Sequence, residues 1–155
     1  PEPALPPGYR IRAVRGESDV EERVAAHRDA FAPSRMTVEK HRALMGFPTY
    51  NPNLDLVVET PEGTFAAFCV AWFDETNRHG AFEPVGCRAA YQRRGLARAV
   101  MTEGLRRLQA LGARTASVAD WGMDPAPAHL YGSLGFEVVD RVFAWKKQLA
   151  GAAPP

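Results

Sequence analysis

Residues 83–111 read EPVGCRAAYQRRGLARAVMTEGLRRLQAL, and the fold turns on them. Leu96, Val100, Leu105, Leu108 and Leu111, with Ala97, Met101 and Gly104, recur at three-and-four spacing. That spacing predicts an amphipathic helix over 94–111, stopped at Gly112, and the apolar run 81–87 before it reads as a strand. Arg93, Arg94 and Arg98 crowd the start of the helix. Positive charge there opposes the helix dipole, and a bound anion would remove the conflict. The first-turn N–H groups lack helical partners and suit phosphate oxygens, and Gly95 lets the backbone come close to a ligand. Two readings stand on these residues alone: a strand–loop–helix that holds a pyrophosphate, or a solvated basic turn. There is no GxxxxGK[ST], and the glycine spacing is not that of a dinucleotide fold.

About thirty residues on, 124–137 reads DPAPAHLYGSLGFE. Taken with Gln92-Arg93-Arg94-Gly95-Leu96-Ala97, this segment resembles the GCN5-related N-acetyltransferases. That family carries Q/R-x-x-G-x-G/A followed by N-x-x-A-x-x-L-Y-x-x-L-G-F. Ala97 is an accepted variant at the last place of the first motif. Asp124 stands where Asn is usual and Pro127 where a small residue is usual. An ionised Asp only accepts hydrogen bonds, so only N–H groups of a pantetheine arm would be open to Asp124.

The resemblance implies an α/β fold with a mixed, mostly antiparallel sheet flanked by helices. Two central parallel strands, here 81–87 and 114–119, would splay apart to admit acetyl-CoA. It implies acetyl transfer to a primary amine of a small molecule or peptide, with no metal. Val85, Gly86 and Cys87 would offer backbone groups to the cofactor. Gln92, Arg93, Arg94, Gly95, Leu96, Ala97 and Arg98 would surround its pyrophosphate, and Asp124, Ala128 and Tyr131 would complete the cofactor side. Tyr131 is the implied acid for the leaving thiolate; its other reading is one more aromatic on a buried helix face. Glu83 is the base candidate on the cofactor-side strand, where burial would raise its pKa; its other reading is a rim charge. Phe31, Phe47, Tyr50 and Trp72 are candidates to line the acceptor pocket, with Phe47 and Tyr50 in a Pro-containing loop. His79, in the turn 77–80, reads as solvated. Two alternatives stay open: a CoA-binding, non-catalytic half of a tandem protein, and an interaction module on the same fold.

The 155 residues suffice for one core, and 46% hydrophobic with 24% charged residues is ordinary for a globular domain. A net charge of +1 gives no global pull toward nucleic acid or a membrane surface. No apolar run reaches spanning length, and Cys69 and Cys87 form no zinc or disulfide pattern, so a cytoplasmic setting with reduced cysteines is expected. Residues 1–8 (PEPALPPG) read as an extended tail or linker and 148–155 as a flexible tail, around a domain at 9–147. A tandem partner domain or a homodimer remains open.

Along the chain, 9–14 reads as a first strand. Ser18 with Glu21 predicts a capping box and a helix to about Phe31. Thr37 opens a short helix toward Gly46. Residues 54–59 and 64–73 form a predicted hairpin, 114–119 a strand, 125–134 a helix stopped by Gly135, and 136–146 a last strand.

Overall fold

The computed structural model describes residues 4–120, 122 and 125–147. Asp124 and the tail 148–155 lie outside the described residues. Among the described residues, five strands form one sheet in the order β1-β2-β3-β4-β5. They are β1 (Arg10–Ala13), β2 (Asp55–Glu59), β3 (Phe65–Asp74), β4 (His79–Cys87) and β5 (Thr115–Val118). The first three pairings are antiparallel, and β4 with β5 is parallel. The parallel step needs a crossover, which α3 (Leu96–Ala110) supplies. The other helices are α1 (Val20–Ala30), α2 (Val38–Met45) and α4 (Pro125–Ser133).

Alternation along the strands divides the core into two layers. Leu56, Val58, Ala67, Cys69, Ala71 and Phe82 meet Leu96, Val100, Met101 and Leu108 of α3. Val57, Phe65 and Phe68 face the other way, toward Ala26 of α1. The close seat of α3 has a cause in Gly104. A Cβ there would come within 2.6 Å of Phe82, so the missing side chain sets how near the helix lies to β4.

Three expectations are corrected. Ser18 does not cap α1: it sits in a 3-10 turn, Gly16–Asp19, and donates to the Arg15 carbonyl at 3.1 Å. The 3-10 turn moves the helix start to Val20, beyond the reach of the Ser18 hydroxyl. The α3 helix starts at Leu96 and not at 94, because Arg93 (φ 63°) and Gly95 (φ 76°) are left-handed and cannot continue a right-handed helix. The segment 136–146 forms no strand. Its β-branched and aromatic residues fit a strand pattern, but a strand needs a neighbour to fill its hydrogen bonds. Here Val138, Val139, Val142, Phe143 and Trp145 remain 74–94% exposed. Elsewhere Thr37 does cap α2, accepting from the Lys40 N–H at 3.2 Å.

Candidate functional site

Two strands that part company create the site. β4 pairs with β5 only from His79 to Phe82, and β4 then continues to Cys87 while β5 ends at Val118. On its other side β4 stays on β3, with one register shift. Ala71 faces Phe82 but Cys69 faces Val85, so Glu83 and Pro84 share the single place opposite Val70. Such a bulge bends the strand, here beside the point where β5 departs.

The ladder decides which backbone groups are free. The Arg88 N–H donates to the Ala66 carbonyl at 2.9 Å, so by antiparallel alternation Gly86 exchanges its bonds with Phe68. Val85 and Cys87 therefore turn their N–H and C=O groups to the open edge. The Gln92 side-chain amide donates to the Cys87 carbonyl across that edge at 3.4 Å. Gly86 serves packing instead: a Cβ there would lie 2.4 Å from the Phe68 ring.

Beyond β4 the chain makes a 3-10 turn, Ala89–Tyr91, and then the basic turn. Gly95 caps α3 in the left-handed conformation, and the first helical bond runs from the Ala99 N–H to the Gly95 carbonyl at 2.9 Å. The N–H groups of Leu96, Ala97 and Arg98 thus lack helical partners at the positive end of the dipole. Arg93 and Arg94 are exposed beside them. Arg94 donates to the Ala90 carbonyl at 3.2 Å and lies 5.4 Å from the Tyr91 ring centroid. Arg98 reaches the Ser133 carbonyl at 3.5 Å and so ties α3 to α4.

On α4, Tyr131 is half-buried and Ala128 exposed. The Tyr131 ring meets Phe136 edge-on at 6.2 Å, and Phe136 meets Phe82 at 6.4 Å, which anchors α4 to the β4 side of the cleft. Burial, then the charge of Asp120, pushes the Tyr131 phenol up from its ordinary value. Glu83 is exposed, so the burial expected for its carboxyl is not there. Its carbonyl accepts from the Trp72 indole N–H at 2.9 Å.

Next to Trp72 opens a groove of about 820 Å³, between the loop after α2 and the β3–β4 hairpin. Tyr50, Trp72, Phe73 and Ala81 line it, with Asp74, Glu75 and His79. Tyr50 and Trp72 stand edge-to-face with centroids 6.4 Å apart. Phe31 and Phe47 do not line the groove. Phe31 instead packs on His27 and Phe68, at 4.8 and 6.1 Å, and Phe47 is 58% exposed.

Two features of this site carry no local sequence signal. His79 is not a free turn residue. Its Nδ1 lies 2.9 Å from the Thr115 hydroxyl and its Nε2 2.9 Å from that of Ser117, bridging β4 to β5. Behind Tyr50 lies a buried charged cluster. The Tyr50 hydroxyl donates to Asp55 at 3.1 Å, Arg23 donates to the same carboxylate at 3.0 Å, and His41 Nε2 lies 3.6 Å from it. Burial, then the Asp55 charge, pushes the Tyr50 phenol up, and burial lowers His41.

Residues 20–136 match the model of the acetyltransferase (GNAT) family. A mycothiol acetyltransferase of Kineococcus radiotolerans is 32% identical over an alignment of 138 residues that covers 86% of this chain and 44% of that protein. A GCN5-related N-acetyltransferase from Sphaerobacter thermophilus has the same fold, with a TM-score of 0.74 at 24% identity over 87% of this chain and 43% of that one. An aminoglycoside N-acetyltransferase in complex with CoA gives a TM-score of 0.72 at 17% identity, covering 94% and 100% of the two chains. The chain spans less than half the length of the first two proteins. With this family match over most of its length, the chain belongs to the GNAT acetyltransferase family.

Proposed function

We propose that this chain is an acetyl-CoA-dependent N-acetyltransferase acting on a primary amine of a small molecule. The observation that carries the reading is the junction of two backbone edges free of ladder and helix partners, the Cys87 carbonyl alone meeting the Gln92 amide. The Val85 and Cys87 groups on the open side of β4 lead to the unbonded N–H groups of Leu96 to Arg98 at the head of α3. A pantetheine arm fits the first as an added strand, and a pyrophosphate fits the second. Gln92, Arg93, Arg94, Gly95 and Arg98 flank the phosphates. Ala128 and Tyr131 face the arm from α4. Asp124 belongs to the same reading by its place in the motif. When bound, acetyl-CoA supplies the acetyl group as an activated thioester.

The chain's residues have two proton tasks. Glu83, on the bulge beside the acceptor groove, takes the amine proton directly or through water. Its exposure suits the water-mediated route. Tyr131, a phenol that carries its proton at neutral pH, donates to the departing sulfur. Tyr50 and Trp72 hold the acceptor.

A second reading is a CoA-binding half that leaves catalysis to another domain. Asp124 and Pro127, where the motif departs from its usual residues, favour it. Two measurements separate these. CoA should raise the melting temperature in both, because it binds only the native state. Release of free thiol from acetyl-CoA with a panel of amines should occur only in the first. Absence of any CoA-induced shift would overturn both readings.

A further inference from the structure

The groove beside Trp72 has a one-sided chemistry. Asp74 and Glu75 stand in its lining, and no Lys or Arg lines it among the described residues. His79 offers no vacant nitrogen, since both are taken up by the Thr115 and Ser117 hydroxyls. Part of Asp74 is committed to its own turn, accepting from the Asn77 N–H at 3.0 Å and side-chain amide at 2.6 Å. Its negative charge nevertheless remains at the groove, and Glu75 has no such turn partner among the described residues. An anionic substituent entering here would meet carboxylates and find no counter-charge. A cationic amine would be drawn in.

The apolar wall is held in place from behind. The Tyr50 ring lines the groove while its hydroxyl is fastened to Asp55, a fully buried carboxylate that also holds Arg23. The Trp72 indole is fastened to the Glu83 carbonyl. Both rings are thus set before an acceptor arrives, and cations favour the faces of such rings.

We propose that the acceptor is a cationic primary amine with no carboxylate or phosphate near its nitrogen, its body laid against Trp72 and Tyr50. This rests on the acetyl-transfer reading and goes beyond it by excluding free α-amino acids and phosphorylated amines. The test uses matched pairs on the full chain: tryptamine against tryptophan, and tyramine against tyrosine. Thiol release gives kcat/KM, and the CoA-induced shift in melting temperature is read in parallel. The decarboxylated member of each pair should win by about tenfold or more, equivalent to about 1.4 kcal/mol. Glu75→Lys should narrow that ratio severalfold by raising KM for the amine, with the CoA-induced shift unchanged. A carboxylated member that equals or beats its partner would overturn the inference and leave acetyl transfer standing, as would a ratio untouched by Glu75→Lys. Turnover of no amine, with CoA still shifting the melt, would overturn acetyl transfer and this inference together.

Discussion

At the residue scale, two substitutions test the proton tasks separately. Tyr131→Phe removes only a hydroxyl and keeps the ring that meets Phe136. Folding and CoA affinity should survive while thiol release falls. A CoA-type thiol has a pKa near roughly 8.5, so its thiolate leaves tolerably well unaided. The loss should therefore sit near the low end of the roughly 10²–10⁴-fold range of positioned acids. An unchanged rate, with chemistry shown to be limiting, returns Tyr131 to its packing role beside Phe136. Glu83→Gln keeps shape and removes the proposed base. Turnover should drop most at neutral pH, where the amine is mainly protonated, and recover partly as pH rises. A full rate with an unaltered pH profile would assign the proton to solvent or another group.

At the scale of elements, the turn before α3 depends on backbone conformation and not on space. Nothing lies within 4 Å of a Cβ built on Gly95, but its φ of 76° is one that β-branched residues resist. Gly95→Val should cost roughly 1–3 kcal/mol of strain and displace the Leu96–Arg98 N–H groups. The CoA-induced rise in melting temperature should vanish while the circular dichroism spectrum persists. Gly95→Asn, whose side chain tolerates the left-handed region, should retain much of that rise. Equal CoA binding by the Val variant would mean that these N–H groups do not hold the ligand. The Arg23–Asp55 pair joins α1 to the start of β2, with Arg23 stacked 3.9 Å from the Phe68 centroid. Arg23→Met strands a buried carboxylate and should destabilise by about 3–5 kcal/mol, read from urea melts. Loss of less than about 1 kcal/mol would show that Asp55 is adequately solvated without it.

Across the whole molecule, buried ionisable groups make stability fall with pH in two windows. Burial, assisted by the charges of Arg23 and His41, lowers His27 to about 4. The unfolded chain then binds the His27 proton more tightly than the folded one, so stability declines as pH falls from about 6.5 to 4. Arg12, working against burial and together with Arg10, holds Glu59 at about 2. Its contribution is complete above the unfolded value near 4.5 and is lost as pH falls toward 2. It should amount to roughly 1–3 kcal/mol. The melting temperature should drop first below about 6.5 and again below about 4.5. His27→Phe should lessen the upper decline, leaving the part due to His41, and Glu59→Gln should lessen the lower, leaving the parts due to Asp19 and Glu103. A single decline beginning only near 4 in the unmodified chain would contradict the histidine contribution.

What the chain carries locally was legible in its sequence. The α3 periodicity, the Gly95 turn, the Thr37 cap and the order of elements up to α4 each depend on residues a few positions apart. From them came the mixed sheet, the parallel step and the place of the basic turn. Tertiary structure alone decided the rest. The bulge at Glu83–Pro84 is a matter of register against β3, and no residue pattern within β4 encodes it. Arg23 finds Asp55 across 32 residues and His79 finds Ser117 across 38, so neither partner is visible from either end. The apolar pattern of 136–146 read as a strand because side chains alone were visible, whereas a strand exists only where another backbone completes its hydrogen bonds. The groove beside Trp72 is the sharpest case. Its walls come from a loop and a hairpin that meet only when the sheet is assembled, and packing, not propensity, brings Tyr50 to Trp72.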